Sequence, residues 1–335
     1  MELLAHAIDG YYPVIIDNAA HKELNKYITL HKKNIVIIDD KVDCSLYSYL
    51  LDNAITYKLS VDESIKNVTT VNNILEFLFK NNVNRDDLII SIGGGVTSDL
   101  VGFVSSIYKR GISWINIPTT LLSMVDASIG GKVGIDYLSV KNGIGAIKFP
   151  DKVIIDITTL HTLDRRNINN GLCEALKMGL TLDETIIEAI DKENFESIIY
   201  KCIVAKDQIV KQDFKDFNVR HVLNFGHTFG HAFEMISLNK KNPLLHGEAI
   251  LLGMKYESNE KIKPIIDRFI KKWDIHYDDK YTYDDIKRLI INDKKNENNK
   301  VVIVYLEDIK KYDIRYVDDL EIKNIIERCG NFELK

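Results

Sequence analysis

A short apolar run, Leu88 to Ile92, ends on three consecutive glycines, Gly93, Gly94 and Gly95, and continues into a helix-like segment carrying Asp99. A run without polar alternation suits a strand covered on both faces, as in a parallel sheet flanked by helices. Glycine at its end lets the backbone come close to an anion, and the helix that follows offers free N–H groups and a positive dipole end. The feature constrains this part of the chain to an α/β arrangement. It falls short of the GxGxxG fingerprint, because Ser98 occupies the last glycine position and the acidic residue expected about 20 positions later is absent. Alone, the turn reads equally as a phosphate cradle or as a tight turn without a ligand.

Neighbouring runs fit the same architecture. Residues 12 to 17 and 34 to 39 are β-branched strands, the second ending in Asp39-Asp40. A carboxylate at such a strand end can bind a ribose hydroxyl or cap the next helix. Val68, Val71, Ile74, Leu75 and Leu78 predict a helix within 60 to 80, and Glu63 and Lys66, three apart, read as a surface ion pair. A strand from Trp114 to Ile117 leads to Pro118-Thr119-Thr120, where the threonines can cap a helix, and then to Asp126. Two glycine-containing turns, Gly130-Gly131-Lys132 and Lys141-Asn142-Gly143, place lysines in a stretch otherwise poor in charge and mark a place for an anion. Val153 to Asp156 reads as one more strand.

From about Asn167 the texture becomes helical, with period-3.6 patterns over 168–181, 183–191, 196–212, 222–236 and 247–261. The shift sets a domain boundary near residues 160 to 166. Glu174 and Lys177 share one helical face, and His227 and His231 lie four apart on another, with His246 after a loop containing Pro243. An HxxxH pair can aim two imidazoles at one ion, with Glu174 or His246 as candidates for a third ligand; two unrelated helix histidines are the alternative. The segment from Asn292 to Lys300, including Lys294 and Lys295, reads on composition as a solvated loop.

A formal net charge of -5 gives no general attraction to nucleic acid or to an anionic membrane, so a phosphorylated ligand requires a local basic cluster. No run approaches the length of a membrane span. The four cysteines, Cys44, Cys173, Cys202 and Cys329, lack metal-type spacing and read as thiols of a reducing cytoplasm.

The motifs taken together are Gly-Gly-Gly-Val-Thr-Ser-Asp, Tyr-Lys-Arg-Gly, Pro-Thr-Thr-Leu-Leu-Ser-Met-Val-Asp-Ala-Ser-Ile-Gly-Gly-Lys-Val-Gly, Lys-Asn-Gly-Ile-Gly-Ala, Gly-Leu-Cys-Glu-Ala-Leu-Lys-Met-Gly, Asn-Phe-Gly-His-Thr-Phe-Gly-His-Ala and His-Gly-Glu-Ala. In this order they resemble the 3-dehydroquinate synthase family of sugar phosphate cyclases, from about residue 34 to 300. The resemblance implies an α/β, Rossmann-like nucleotide-binding domain over 1–163 and a mainly α-helical metal- and substrate-binding domain over 164–335. It implies a cytoplasmic homodimer that uses NAD and one divalent metal ion, zinc or cobalt, on a phosphorylated sugar acid. The family converts 3-deoxy-D-arabino-heptulosonate 7-phosphate into 3-dehydroquinate and phosphate by transient oxidation, phosphate elimination, reduction and aldol closure.

Position by position, the resemblance implies NAD contacts from Asp39, Glu63, Lys66, Gly94, Gly95, Asp99, Thr119, Thr120 and Asp126, with Lys132 and Lys141 adjoining. It implies a metal on Glu174, His227 and His246, which makes His231 a substrate-facing residue. Lys132, Lys141, Asn142, Lys177, Lys206, Arg220, Asn224 and Lys294 or Lys295 would surround the substrate, and Arg110 would reach the neighbouring subunit's phosphate site. Lys41, the segment Phe214 to Asp216, and Gly143 depart from the family pattern without touching these positions. Rival expectations are another sugar phosphate cyclase, a metal-dependent polyol dehydrogenase of the glycerol dehydrogenase type, and a non-catalytic NAD- or metal-binding regulator.

Overall fold

The computed structural model describes all residues except 29, 31, 139, 239, 277–282, 294–299 and 330–335. The chain forms two compact units, Met1–Ile168 with Phe195–Lys211, and Asn169–Asn194 with Gln212–Lys335. The shift in texture suggests one crossing near residue 163, whereas the chain crosses three times. Specific polar contacts hold the returning helix in the first unit. Asp207 accepts from the backbone N and from Nδ1 of His6, each at 2.6 Å, and Lys206 pairs with Asp126.

In the first unit the strands are β1 (Glu2–Ala7), β2 (Gly10–Asp17), β3 (Asn34–Asp39), β4 (Ile55–Leu59), β5 (Leu88–Gly93), β6 (Ser113–Pro118), β7 (Lys132–Tyr137), β8 (Val140–Ile147) and β9 (Lys152–Asp156). Seven make one sheet in the order β1-β2-β9-β6-β5-β3-β4, parallel except for the β1–β2 hairpin. Successive side chains of a strand face opposite sides. Accordingly Ile35, Ile37 and Ile89 join one core cluster while Val36, Ile38, Ile90 and Ile92 join the other. Burial on both faces is why these strands read as apolar runs without polar alternation, Ser91 being the one polar residue within Ile35–Ile38 and Leu88–Ile92.

Within the parallel part, β4-β3-β5-β6-β9, the chain steps outward from β3 to β4 and then returns to the other side of β3. The reversal lies between β3 and β5, and doubly wound sheets bind ligands outside the carboxyl ends of the strands at such a point. Asp39 and Gly93 are the last residues of these two strands.

The helix Gly95–Ile107 packs closely on the sheet through Gly102. A Cβ there would lie 2.4 Å from Val133 Cγ1 and 2.8 Å from the Trp114 ring. Ser98, standing where the fingerprint has its third glycine, is buried and donates to Asn116 Oδ1 at 2.9 Å. Close helix–sheet approach is thus moved one turn along, from residue 98 to residue 102. Gly102→Ala is expected to lower stability by about 1–3 kcal/mol through overpacking, read as a drop in denaturant midpoint at unchanged slope.

The Gly130-Gly131 turn is present, at φ +101° and +68°, and leads into β7 at Lys132, whereas Lys141-Asn142-Gly143 lies within β8 of the antiparallel β7–β8 hairpin, in which Lys132 is opposite Ile147. Val133 and Ile135 of β7 belong to the core cluster under the helix, so burial of alternate residues holds the segment extended.

The second unit is rich in helices, including the portion of Arg165–Thr181 from Asn169 onward, His227–Ser237 and His246–Tyr256. It also carries an antiparallel hairpin of β10 (Val301–Asp308) and β11 (Lys311–Val317). The helix expected from Val222 begins at His227, because Val219–Asn224 is a 3-10 turn and Gly226 sits at φ +81°. No described helix is long and apolar enough to cross a membrane.

Candidate functional site

In the first unit, candidate residues gather at the carboxyl ends of β3, β5 and β6. Gly94 is the N-cap of the helix Gly95–Ile107 and supplies no side-chain cap, so the first N–H groups of that helix are open to an anion. A Cβ on Gly94 would lie 3.1 Å from Thr120 Cγ2, and one on Gly95 would lie 3.6 Å from Ala127 Cβ. Thr119 N donates to Gly93 O at 2.9 Å, which ties the end of β6 to the glycine turn. Thr120 caps the following segment through Ser123, with its Oγ1 2.9 Å from the serine hydroxyl. Asp39 accepts from Lys41 N at 3.0 Å, so it caps its own turn, and burial pushes its carboxyl above the usual range against the opposing pull of Lys41.

Lys66 is buried, pairs with Asp99 at 2.6 Å, and donates to Asn142 Oδ1 at 2.5 Å. Asn142 N in turn donates to Asp136 Oδ1 at 2.7 Å, and Asp136 N to Lys66 O at 2.8 Å. The hairpin β7–β8 is thereby fastened to the residues that precede the helix Val68–Lys80. Glu63 belongs to the turn Glu63–Ile65, and its side chain lies outside the described part.

Lys206, also buried, donates to Asp126 O at 2.6 Å and to its Oδ1 at 2.7 Å. Lys132 is exposed at the start of β7, and Lys141 is half-buried on β8. Arg110 is exposed at φ +65°, next to Gly111 at φ +117°.

The second unit brings five candidates together, Glu174, Lys177, His227, His231 and His246. Glu174 is fully buried and forms an ion pair with Lys177 through Oε2. Its other oxygen, Oε1, has no hydrogen bond and is faced by His227 Nε2 at 4.0 Å and His246 Nε2 at 3.8 Å. His227 Nδ1 donates to Phe225 O at 3.3 Å, and His246 Nδ1 is 3.5 Å from Glu234 Oε2. Both partners are acceptors only, which puts the proton on Nδ1 and leaves each Nε2 lone pair free. Burial, reinforced by the positive Lys177, holds His227 well below the usual imidazole pKa and so in its neutral, ligating form. His231 completes a group of three imidazoles whose ligand atoms lie within 4.8 Å of one another.

Two sets of donors are therefore available for a metal, the three histidines, or Glu174 with His227 and His246. The unsatisfied Oε1 favours the second, since a fully buried carboxylate oxygen without a donor is costly unless a cation meets it. Of the remaining candidates, Arg220 is buried and donates through Nη1 to Phe214 O at 3.1 Å, while Asn224 is half-buried at the end of its turn. Lys294 and Lys295 lie outside the described residues.

Several residues that sequence reasoning missed set this geometry. Glu257, fully buried, accepts from Gly226 N at 3.0 Å and Thr228 N at 3.2 Å, so a carboxylate just past the end of the helix His246–Tyr256 caps the one that carries His227. Asn170, one turn before Glu174, accepts from Gly247 N at 2.6 Å and fixes the start of the helix that carries His246. The two histidine helices meet backbone to backbone, since a Cβ on Gly253 would lie 2.0 Å from Gly226 O. The glycines at 226, 230, 247 and 253 were the available signal, legible only with the pairing of the helices in hand.

Comparison with known proteins places the chain in a family. The family profile described as 3-dehydroquinate synthase N-terminal matches residues 56–170, and the C-terminal one matches 171–296. A 3-dehydroquinate synthase of Clostridium tetani is 37% identical over 96% of this chain and 94% of its own length. One of Helicobacter pylori strain HPAG1 is 38% identical over 84% and 88%. In fold, the chain is similar to a 2-deoxy-scyllo-inosose synthase complexed with carbaglucose-6-phosphate, NAD+ and Co2+, with a TM-score of 0.86, 24% identity, and coverage of 98% of this chain and 100% of that one. It is also similar to the 2-epi-5-epi-valiolone synthase of Streptomyces hygroscopicus with NAD+ and Zn2+ bound, at a TM-score of 0.84 and 23% identity over 98% and 99%. With both profiles in register and curated relatives matched over most of their length, this chain belongs to the 3-dehydroquinate synthase family.

Proposed function

We propose that the protein is a phosphate-eliminating lyase that converts 3-deoxy-D-arabino-heptulosonate 7-phosphate into 3-dehydroquinate, with NAD and one divalent metal ion as cofactors. The observation that carries this reading is the buried Glu174 carboxylate, whose unsatisfied oxygen is faced by Nε2 of His227 and Nε2 of His246. When bound, NAD would take and return a hydride, and the metal would make the hydroxyl being oxidised more acidic.

The chain's own residues hold and orient. Gly94, Gly95 and the open helix N-terminus suit the cofactor's pyrophosphate, and Asp39, at the β3 end beside the reversal of strand order, suits a ribose hydroxyl. We assign Glu63, Lys66, Asp99, Thr119, Thr120 and Asp126 to the same cofactor. Lys132, Lys141, Asn142, Lys206, Lys177, Arg220, Asn224 and His231, with Lys294 or Lys295, are assigned to a phosphorylated sugar acid. In a chain of net charge -5, these cations offset the desolvation of the substrate's carboxylate and phosphate and stabilise charge on the departing phosphate. A homodimer in which Arg110 serves the neighbouring subunit fits the exposure of that side chain. The free thiols Cys44, Cys173 and Cys202 fit a reducing cytoplasm.

Incubating the purified protein with NAD, Co2+ or Zn2+ and the heptulosonate phosphate is expected to release phosphate and 3-dehydroquinate in equal amounts without net NADH. A different carbocycle, or stoichiometric NADH, would overturn the assignment.

A further inference from the structure

The metal reading leaves Glu234 without a role, although this carboxylate is buried and close to the cluster. It lies seven residues after His227 on the same helix and three after His231, which puts all three on one face. Its Oε2 is 3.5 Å from His246 Nδ1, while His246 Nε2 is 3.8 Å from Glu174 Oε1. The imidazole is bracketed by two carboxylates, one at each nitrogen. Its ring is 32% exposed, the most open of the residues assigned to the metal, so packing alone restrains it least. His227, at 14% exposed, is oriented instead by the backbone carbonyl of Phe225.

We propose that Glu234 is a positioning residue of the metal centre, accepting the Nδ1 proton of His246 and so fixing both the tautomer and the ring angle that present Nε2 to the ion. A carboxylate behind a ligating imidazole also makes the ring a stronger donor. The inference rests on the metal assignment to Glu174, His227 and His246. It is distinct from a role in substrate or cofactor binding, since Glu234 acts through His246.

The test is the affinity of folded apoprotein for Co2+ and Zn2+, measured by competition with a chromophoric chelator, together with the visible absorption of the Co2+ form. Glu234→Ala is expected to weaken binding by about 10- to 100-fold, the usual effect of losing such a partner, and to alter the cobalt band. Glu234→Gln, whose amide oxygen still accepts from Nδ1, is expected to recover most of that affinity, and Glu234→Met, similar in size but without that acceptor, takes the place of alanine if the alanine variant does not fold. His231→Ala should bind metal as the unaltered protein does. Wild-type affinity and an unchanged cobalt spectrum in Glu234→Ala would overturn the positioning role and leave the metal assignment standing, as would a Gln variant as weak as Ala. Failure of the unaltered protein to bind either ion would overturn both.

Discussion

Glu174→Gln is expected to remove metal-dependent turnover, lowering kcat/KM by about 10³-fold or more, the rate equivalent of several kcal/mol of lost Lewis-acid stabilisation. The amide keeps the shape of the side chain but loses the negative charge, so it is a poor third ligand beside His227 and His246. The same change leaves Lys177 buried beside a neutral partner, and a fall in stability should accompany the loss of activity. NAD binding separates the effects, because the glycine turn and the Lys66–Asp99 pair belong to the first compact unit, whereas Glu174 belongs to the second. Titration with NAD monitored by fluorescence or calorimetry should give unchanged affinity while bound metal, counted by elemental analysis, disappears. Retained metal and turnover would remove Glu174 from the ligand set and return the choice to the three histidines.

Gly253→Ala is expected to be the most damaging single methyl in the second unit. The added Cβ would meet Gly226 O at 2.0 Å and Gly230 N at 2.5 Å, both of them backbone atoms that no rotamer change can move. Overpacking typically costs about 1–3 kcal/mol, and contact this close with two backbones places the variant at or beyond the top of that range. The helices must separate, and they carry His227 and His231 on one side and His246 on the other. Stability by chemical denaturation and Co2+ affinity should therefore fall together. Loss of stability with wild-type metal affinity would show that the histidine spacing does not depend on this contact.

Much of the first unit could be read in the sequence because its central strands are covered on both faces. Runs such as Ile35–Ile38, and Leu88–Ile92 with only Ser91 interrupting, can satisfy few other environments. The edge strand β1 escaped notice because its burial is partial, and the β7–β8 hairpin because its glycines resemble turns. The residues proposed to hold the metal were named by resemblance, whereas spacing alone paired His227 with His231 and left Glu174 or His246 as the third ligand. The choice depends on an oxygen with no donor, which is a property of packing. Glu257 and Asn170 were illegible for a related reason, since a buried polar residue declares its purpose only through the distant backbone group that it satisfies.

The return of Phe195–Lys211 to the first unit also bears on the order of events during synthesis. The counter-charge for Asp126 and the carboxylate that holds His6 are encoded after a 26-residue excursion, Asn169–Asn194, into the other unit. All strands of the sheet are encoded by Asp156, but the first unit is not complete until residue 211 has left the ribosome. A genetic fusion or a split placed near residue 163 would cut through a compact unit rather than a linker.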